Sequence, residues 1–500
     1  MIARGVFFII LVRTSSATLT FISLFFMTRY LGSEDYGSFS WAIAFVAIFS
    51  SLSDLGFSSA HIKRVSEGKD IDQCFSTYVL IKMVLICLMV LIIVFSIWIW
   101  MQVTGDALSE NQITLIALII LYQILYSVSG IFSNTFIAKL DIVKSQVIML
   151  LDPLIRVPLV IIICLTGIGI FGIAYAYIIG SFVMSITGII LISKSKFKWK
   201  RPLMIRSYAE FAIPYSLVLF IGILAVNIDI MSIGGFWPPS DVGFYASSVT
   251  FVSSLSTIGL SISIVAFPVF SKMHSLGEGK ETKIKTRIAE KFISLLGLPI
   301  VVVVILFPTE LASILFGTHF SAAGKALPYL AIAAFLPLLN QTVTSQIIAL
   351  NRPKILAGLS LVNFIALVTF LLFLVPKQLF GVNLPGMSYE GAALAVLISG
   401  IFAFCMTRYI AFRLLDVDFN PRLILHMASA FFATLLLALL RSIIPMIGWA
   451  DLIFYGLAAL SIILLLFSAF KEFTKKDIDL ILDVLNPKRM KKFIIEKHKR

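Results

Sequence analysis

Charge is what this sequence lacks. Only 13% of its 500 residues are Asp, Glu, Lys or Arg, about half the roughly 25% of a soluble globular protein. Hydrophobic residues make up 59%, 43 of them Phe. Such a chain cannot cover a water-facing surface, so a soluble protein is excluded and the implied solvent is a bilayer. Histidine and cysteine are scarce as well, at five and four. Cys87, Cys164 and Cys405 fall in apolar stretches, Cys74 falls in a polar loop, and no CxxC pair occurs. Neither a disulfide framework nor a metal site is indicated. Acidic residues are the rarer sign, 26 against 40 Lys and Arg. That excess raises nucleic acid as a partner, but no aqueous segment is long enough to gather a basic face, and that reading is set aside.

What is there in abundance is apolar sequence of membrane-spanning length. A spanning helix needs about 20 predominantly apolar residues. Residues 83–105, 111–138, 157–193, 242–271, 326–351 and 355–376 contain no Asp, Glu, Lys or Arg at all. The pattern predicts an all-α integral membrane protein with about fourteen transmembrane helices, at 5–27, 36–60, 77–100, 113–138, 145–165, 168–192, 209–232, 242–268, 291–310, 325–350, 355–375, 389–411, 422–445 and 450–470. The start, Met1 to Arg4, has the look of a secretory signal. Arg13 interrupts its apolar region, however, and the segment reads as an uncleaved first helix.

An even number of spans puts both termini on one side, and Lys and Arg in short loops mark that side as cytoplasmic. With the N-terminus inside, 33 of the 40 basic residues fall in cytoplasmic segments. Arg29, Lys325, Lys377 and Arg441 lie on or near the other side, and Arg13, Lys82 and Arg156 lie within spans. The expected location is the inner (cytoplasmic) cell membrane, multi-pass, with both termini cytoplasmic.

Three anchors recur in the same order. Asp35-Tyr36-Gly37 after the first helix is echoed by Asp241-Val242-Gly243 after the seventh, and each opens a helix followed by Glu-Gly-Lys (67–69 and 278–280). Ile137-Ala138 running to Lys144 is echoed by Ile348-Ala349 running to Lys354, and Gly172-Ile173-Ala174 by Gly391-Ala392-Ala393. The offset of six helices is even, so the halves share orientation and are expected to be related by a pseudo-twofold axis along the membrane normal. The expected domains are an N-terminal lobe at 1–208, a C-terminal lobe at 209–415, two appended helices at 416–470 and a basic cytoplasmic tail at 471–500.

At these residues the chain resembles the polysaccharide flippases of the MOP exporter superfamily, the Wzx-like O-antigen and capsule repeat-unit transporters, related to the MATE exporters and MurJ. The resembling stretches are Arg29 to Gly37, Asp54-Leu55-Gly56 in the second helix, Asp229 to Tyr245, and the Gly-Ala pairs opening helices six and twelve. The resemblance implies a two-lobed V-shaped transporter, not an enzyme. Its partner would be an undecaprenyl- or similar polyprenyl-(pyro)phosphate-linked oligosaccharide, moved from cytoplasmic to outer leaflet by alternating access for surface polysaccharides such as lipopolysaccharide O-antigen. Polysaccharide-assembly proteins would be further partners.

Independently of any family, an ionisable residue within a span is a functional candidate, because it costs about 2.5–3.5 kcal/mol at mid-helix on insertion scales. Five stand out, all in the first half. Arg13 lies about 13 Å along the first helix, Asp54 about 10 Å from the inner end of the second, and Lys82 about 8 Å into the third. Asp152 and Arg156 share a face of the fifth at i,i+4 spacing. A polyprenyl pyrophosphate needs fixed cations, and the planar Arg fork suits phosphate. Arg13, Arg156 and Lys82 are therefore the expected substrate-binding residues. Asp54 and Asp152 would balance their charge or couple transport to H⁺ or Na⁺, with no cofactor or metal. Plainer readings stand beside these. Lys82 is near enough to the interface to snorkel, Asp152 and Arg156 read also as a pair that makes the span insertable, and Asp54 reads also as a helix-end residue.

Pro153, Pro158, Pro214, Pro268 and Pro337 offer places where spans bend. The tail 471–500 alternates apolar and basic residues and reads as an interfacial helix on anionic lipids, or as a solvated tail. Two competing functions remain at this level. A MATE-type cation-coupled drug or metabolite exporter would favour an acidic cavity. A membrane-bound polymerase or glycosyltransferase would need an aqueous loop with paired carboxylates or clustered His, which the sequence does not offer.

Overall fold

The computed structural model describes residues 2–104, 109–195, 197–253, 279–350, 353–415 and 418–473. Helix α1 (Ile2–Ser50) carries the first span and most of the second in tandem, bent at Gly32 with φ 79° and ψ 175°. A 3-10 turn (Ser51–Ser53), α2 (Phe57–Ser66), α3 (Ile71–Thr104), α4 (Glu110–Ala138), α5 (Ile142–Thr166) and α6 (Ile170–Ser193) complete the first half. The second half comprises α7 (Ile205–Phe236), α8 (239–253), α9 (Gly279–Leu306), α10 (Pro308–Phe316), a 3-10 stretch (Thr318–Lys325), α11 (Leu327–Ala349), α12 (Pro353–Leu374) and α13 (Ser388–Leu415). A two-residue antiparallel pair, Gln378–Leu379 with Val382–Asn383, joins α12 to α13. Helices α14 (Arg422–Arg441) and α15 (Trp449–Ala469) follow.

Twelve described helices are long and apolar enough to cross a bilayer. The first of them holds two predicted spans, and the predicted span 242–268 leaves the described residues after 253, which accounts for the difference from fourteen. Also outside the described residues are Pro268 and the tail from 474 onward.

Local chemistry explains several boundaries. At the start of α4 the Ser109 hydroxyl accepts from the Gln112 amide (3.2 Å) and the Gln112 side chain accepts from the Ser109 amide (2.9 Å), satisfying two donors that a helix start leaves open. Asp141 caps α5 through the Lys144 amide. The residues that face outward along α3, among them Leu91, Phe95 and Trp98, are large, apolar and more than half exposed, as suits a helix whose outer face meets lipid.

Helices α1, α4, α5 and α6 pack on one another, and α3 joins them mainly through α2, α4 and the 3-10 turn. In the second half α11, α12 and α13 pack together, α9 lies against α11, and α14 and α15 both rest on α9. Helix α7 bridges the groups, touching α1 and α2 on one side and α12 and α13 on the other. The echoed motifs Asp35-Tyr36-Gly37 and Asp241-Val242-Gly243 face each other where α1 meets α8. Nearby, Tyr36 meets Phe320 edge-on with ring centroids 6.0 Å apart, and Arg29 donates to the Ile314 carbonyl at 2.5 Å. This end of the bundle is closed by direct packing between the two groups.

Three expectations need correction. The second span does not continue as helix to residue 60: it stops at Ser50, and α2 begins only at Phe57. Cys74 is not in a loop, because α3 starts at Ile71 and buries it completely. Arg408, counted above among the cytoplasmic loop cations, is buried on α13, where it donates to Glu290 Oε1 (2.5 Å), Asn340 Oδ1 (2.9 Å) and the Leu339 carbonyl (2.8 Å). The second half therefore has a buried charge pair of its own, and its span interiors are not as free of charge as the sequence pattern implied. Asp229 is also buried: it accepts from the Tyr245 hydroxyl at 2.6 Å and from the Ile230 amide at 2.8 Å.

Candidate functional site

The site begins at the interruption between α1 and α2. Leu55 has φ 44° and Gly56 φ 80°, both left-handed, so the chain turns sharply in the middle of a predicted span. A non-glycine residue at positive φ is costly and persists only where its surroundings impose it. Here the freed backbone groups find partners. The Ser51 carbonyl accepts from the Asp54 and Leu55 amides, and the Lys82 ammonium on α3 donates to the Ser53 carbonyl at 2.8 Å. In a membrane such irregular backbone is tolerated only where it is buried in protein or lines a wet cavity.

Lys82 also pairs with Asp54 Oδ1 at 3.0 Å. It is 4% exposed and points into the protein, so it does not snorkel to the interface. Asp54 accepts a hydrogen bond from Ser58. Ser58 lies 2.7 Å from the Tyr78 hydroxyl, and the Asn134 amide nitrogen donates to Ser58 (3.0 Å) and to Tyr78 (3.2 Å). The break is thus fastened to both α3 and α4.

The second charged pair lies on α5. Arg156 Nε donates to Asp152 Oδ2 at 3.1 Å, with both side chains buried, and the guanidinium sits 4.2 Å from the centre of the Tyr177 ring on α6. No donor among the described residues reaches Asp152 Oδ1. Arg13 differs from both pairs: it is exposed, and among the described residues nothing bonds to or pairs with it.

All five residues singled out in the sequence, Arg13, Asp54, Lys82, Asp152 and Arg156, line a single cavity of about 1000 Å³. Ser16 and Thr20 share the face of Arg13 on α1, at helical spacings of three and four residues. Helix α4 contributes Gln123, Ser127, Asn134 and Ile137, a row that runs roughly 21 Å along the helix. It reaches the turn at Lys139. The α7 wall, Leu219, Gly222 and Ile223, is uncharged.

The polar row on α4 was not singled out in the sequence, although its signal was there. Gln123, Ser127 and Asn134 are spaced by four and seven residues, one and two helical turns, inside a stretch with no charge, and such a stripe in a lipid-buried helix has to face water or another polar surface. Elsewhere among the described residues, His61 is a packing residue, fully buried between the Tyr208 hydroxyl (3.0 Å) and Thr135 (3.1 Å). The described residues hold no cluster of metal-ligating side chains.

Residues 2–274 match the family model described as polysaccharide biosynthesis protein. Over 369 residues the chain is 24% identical to the probable low-salt glycan biosynthesis flippase Agl15 of Haloferax volcanii, which covers 73% of this chain and 75% of that protein. Its fold is similar to a solved structure of the lipid II flippase MurJ in an inward closed conformation, with a TM-score of 0.73 and 14% identity over 94% of this chain and 99% of the other. It is also similar to an inward-facing multidrug resistance MATE transporter of the MOP superfamily, with a TM-score of 0.63 and 16% identity over 80% and 95% of the respective chains.

Proposed function

The chain belongs to the polysaccharide biosynthesis protein family, and from that membership we propose that it is a flippase: it moves a polyprenyl-linked oligosaccharide between the leaflets of the cytoplasmic membrane by alternating access. The observation that carries this reading is the cavity. It holds every strongly intramembrane cation of the first half, it is lined with hydroxyls and amides that suit a sugar, and its free cation suits a phosphate. Similarity to proteins named as glycan and lipid II flippases supports the same direction.

In this scheme the cavity loads at the end near Lys139, on the cytoplasmic side. Arg13 meets the lipid phosphate, the polar row on α4 meets the sugars, and the polyprenyl chain stays in the bilayer. Asp54 and Asp152 act as charge-balancing residues that hold Lys82 and Arg156 in place, and a coupling ion, H⁺ or Na⁺, would act through this same cluster. A cationic drug as cargo is disfavoured, because both carboxylates of the cavity are already neutralised.

The test is the state of the lipid-linked oligosaccharide in cells lacking the protein. Accumulation of complete units on the cytoplasmic leaflet, restored to normal by the intact gene and not by an Arg13→Ala variant that inserts normally, supports the flippase. Unpolymerised units on the outer surface point to a polymerase, and an unchanged lipid pool points to an exporter of other cargo.

A further inference from the structure

We propose that the cavity selects a head group with a single negative charge, a polyprenyl monophosphate diester in preference to a pyrophosphate. This rests on the flippase reading and deepens it. Five charged residues line the cavity among the described residues, three cations and two carboxylates. Counted as a sum, they offer a net positive charge of one; what matters is how that charge is distributed. Lys82 is spent on Asp54, Arg156 is spent on Asp152, and Arg13 alone is uncommitted.

Neither pair is free to change partners. Asp152 is 5% exposed, its Oδ1 already lacks a donor, and the oxygen is pressed so close to α6 that a Cβ on Gly180 would stand 2.7 Å from it. Drawing Arg156 toward a ligand would strand this carboxylate in a buried place, and breaking a buried pair is far more costly than forming it is favourable. Lys82 is equally buried and satisfies the Ser53 carbonyl at the helix break as well as Asp54. Moving it would leave both without a partner. A phosphodiester carries one negative charge and finds one free guanidinium. A pyrophosphate diester carries two, and among the described residues the second has no uncommitted cation to meet in a partly desolvated cavity.

The full-length protein in lipid nanodiscs is titrated with two soluble probes, N-acetylglucosaminyl citronellyl phosphate and the corresponding pyrophosphate, and binding is followed calorimetrically. The expected result is at least tenfold tighter binding of the monophosphate, a lower bound for one poorly compensated charge at an effective dielectric near 20. Asp152→Asn frees Arg156, and Asp54→Asn frees Lys82; either is expected to tighten pyrophosphate binding selectively and shrink the ratio. Having two such variants keeps the test open if one fails to fold. Equal or tighter pyrophosphate binding by the unaltered protein, or a ratio that neither variant moves, overturns the charge selection and leaves the flippase reading intact. Failure of both probes to bind the unaltered protein overturns the flippase reading and the selection with it.

Discussion

Gly37 and Gly243 lie backbone against backbone in reciprocal contact. A Cβ on Gly37 would come within 1.7 Å of the Pro239 carbonyl oxygen, and a Cβ on Gly243 within 2.1 Å of the Ser33 carbonyl oxygen. The same offset of 206 residues relates Gly37 to Gly243 and Ser33 to Pro239. One pair of residues therefore meets its own repeat copy, as residues beside a twofold axis do. Both obstructing atoms are main-chain oxygens, which cannot rotate aside as the tip of a side chain can.

Gly37→Ala and Gly243→Ala are expected to weaken closure at this end by about 1–3 kcal/mol, the usual range for overpacking. A cysteine at Ser16, in the cavity, reports the change. Its labelling by a membrane-impermeant thiol reagent added outside cells should rise several-fold in either variant. Unchanged labelling in both would mean that this contact does not hold this end shut.

Arg13 and Arg156 line the same cavity but differ in what their removal does to the protein. Arg13→Ala deletes an exposed, unpartnered side chain, so unfolding temperature in detergent should stay within the small range typical of surface changes while export is lost. Arg156→Ala leaves Asp152 buried without its cation, a loss of about 3–5 kcal/mol. The double variant Arg156→Leu/Asp152→Leu should recover most of that stability. Export that returns with the fold would assign Arg156 a structural role only.

Lys82 and Asp54 should be unequal partners. Lys82→Met leaves two groups unmet, the Ser53 carbonyl at 2.8 Å and the Asp54 carboxylate at 3.0 Å, and is expected to destabilise by about 1–3 kcal/mol. In Asp54→Asn the ammonium keeps the Ser53 carbonyl, and the amide can still accept from Ser58, so the loss should be smaller. Thermal unfolding of the two purified variants decides the order, and the reverse order would mean that the break is held by something other than Lys82.

Much of this was legible in the sequence because a bilayer leaves few alternatives. Apolar runs of spanning length must be helices, and charges such as Arg13, Asp54, Lys82, Asp152 and Arg156 stand out against them. Their convergence on one cavity follows from all lying in one half at similar depth, four on helices and Asp54 at the break between α1 and α2. What was illegible depends on partners distant in the chain. The stop after Ser50 was hidden because Ser51 to Ser53 and Leu55 are compatible with a continuing helix, and only Gly56 hinted at a break. Arg408 was misplaced because loop cations and buried cations look alike until Glu290, 118 residues away, is brought alongside. The i,i+4 spacing made the Asp152–Arg156 pair legible, whereas the Lys82–Asp54 pair, 28 residues apart in the chain, was not.

That buried pair in the second half provides a contrast to the cavity. Arg408 and Glu290 have side chains 9% and 1% exposed, and Glu290 also accepts from Asn420 at 2.9 Å, just ahead of α14. The pair thus ties α9, α13 and the start of α14 together, and it does not line the cavity. Arg408→Ala or Glu290→Gln, each leaving one charged or polar partner uncompensated, should lower stability by about 3–5 kcal/mol. Arg408→Met/Glu290→Leu, which removes both charges and keeps apolar volume, should regain most of it. This variant should also regain glycan export, because the pair lies outside the cavity. Recovery of the fold without recovery of export would place Glu290 and Arg408 in the transport cycle itself.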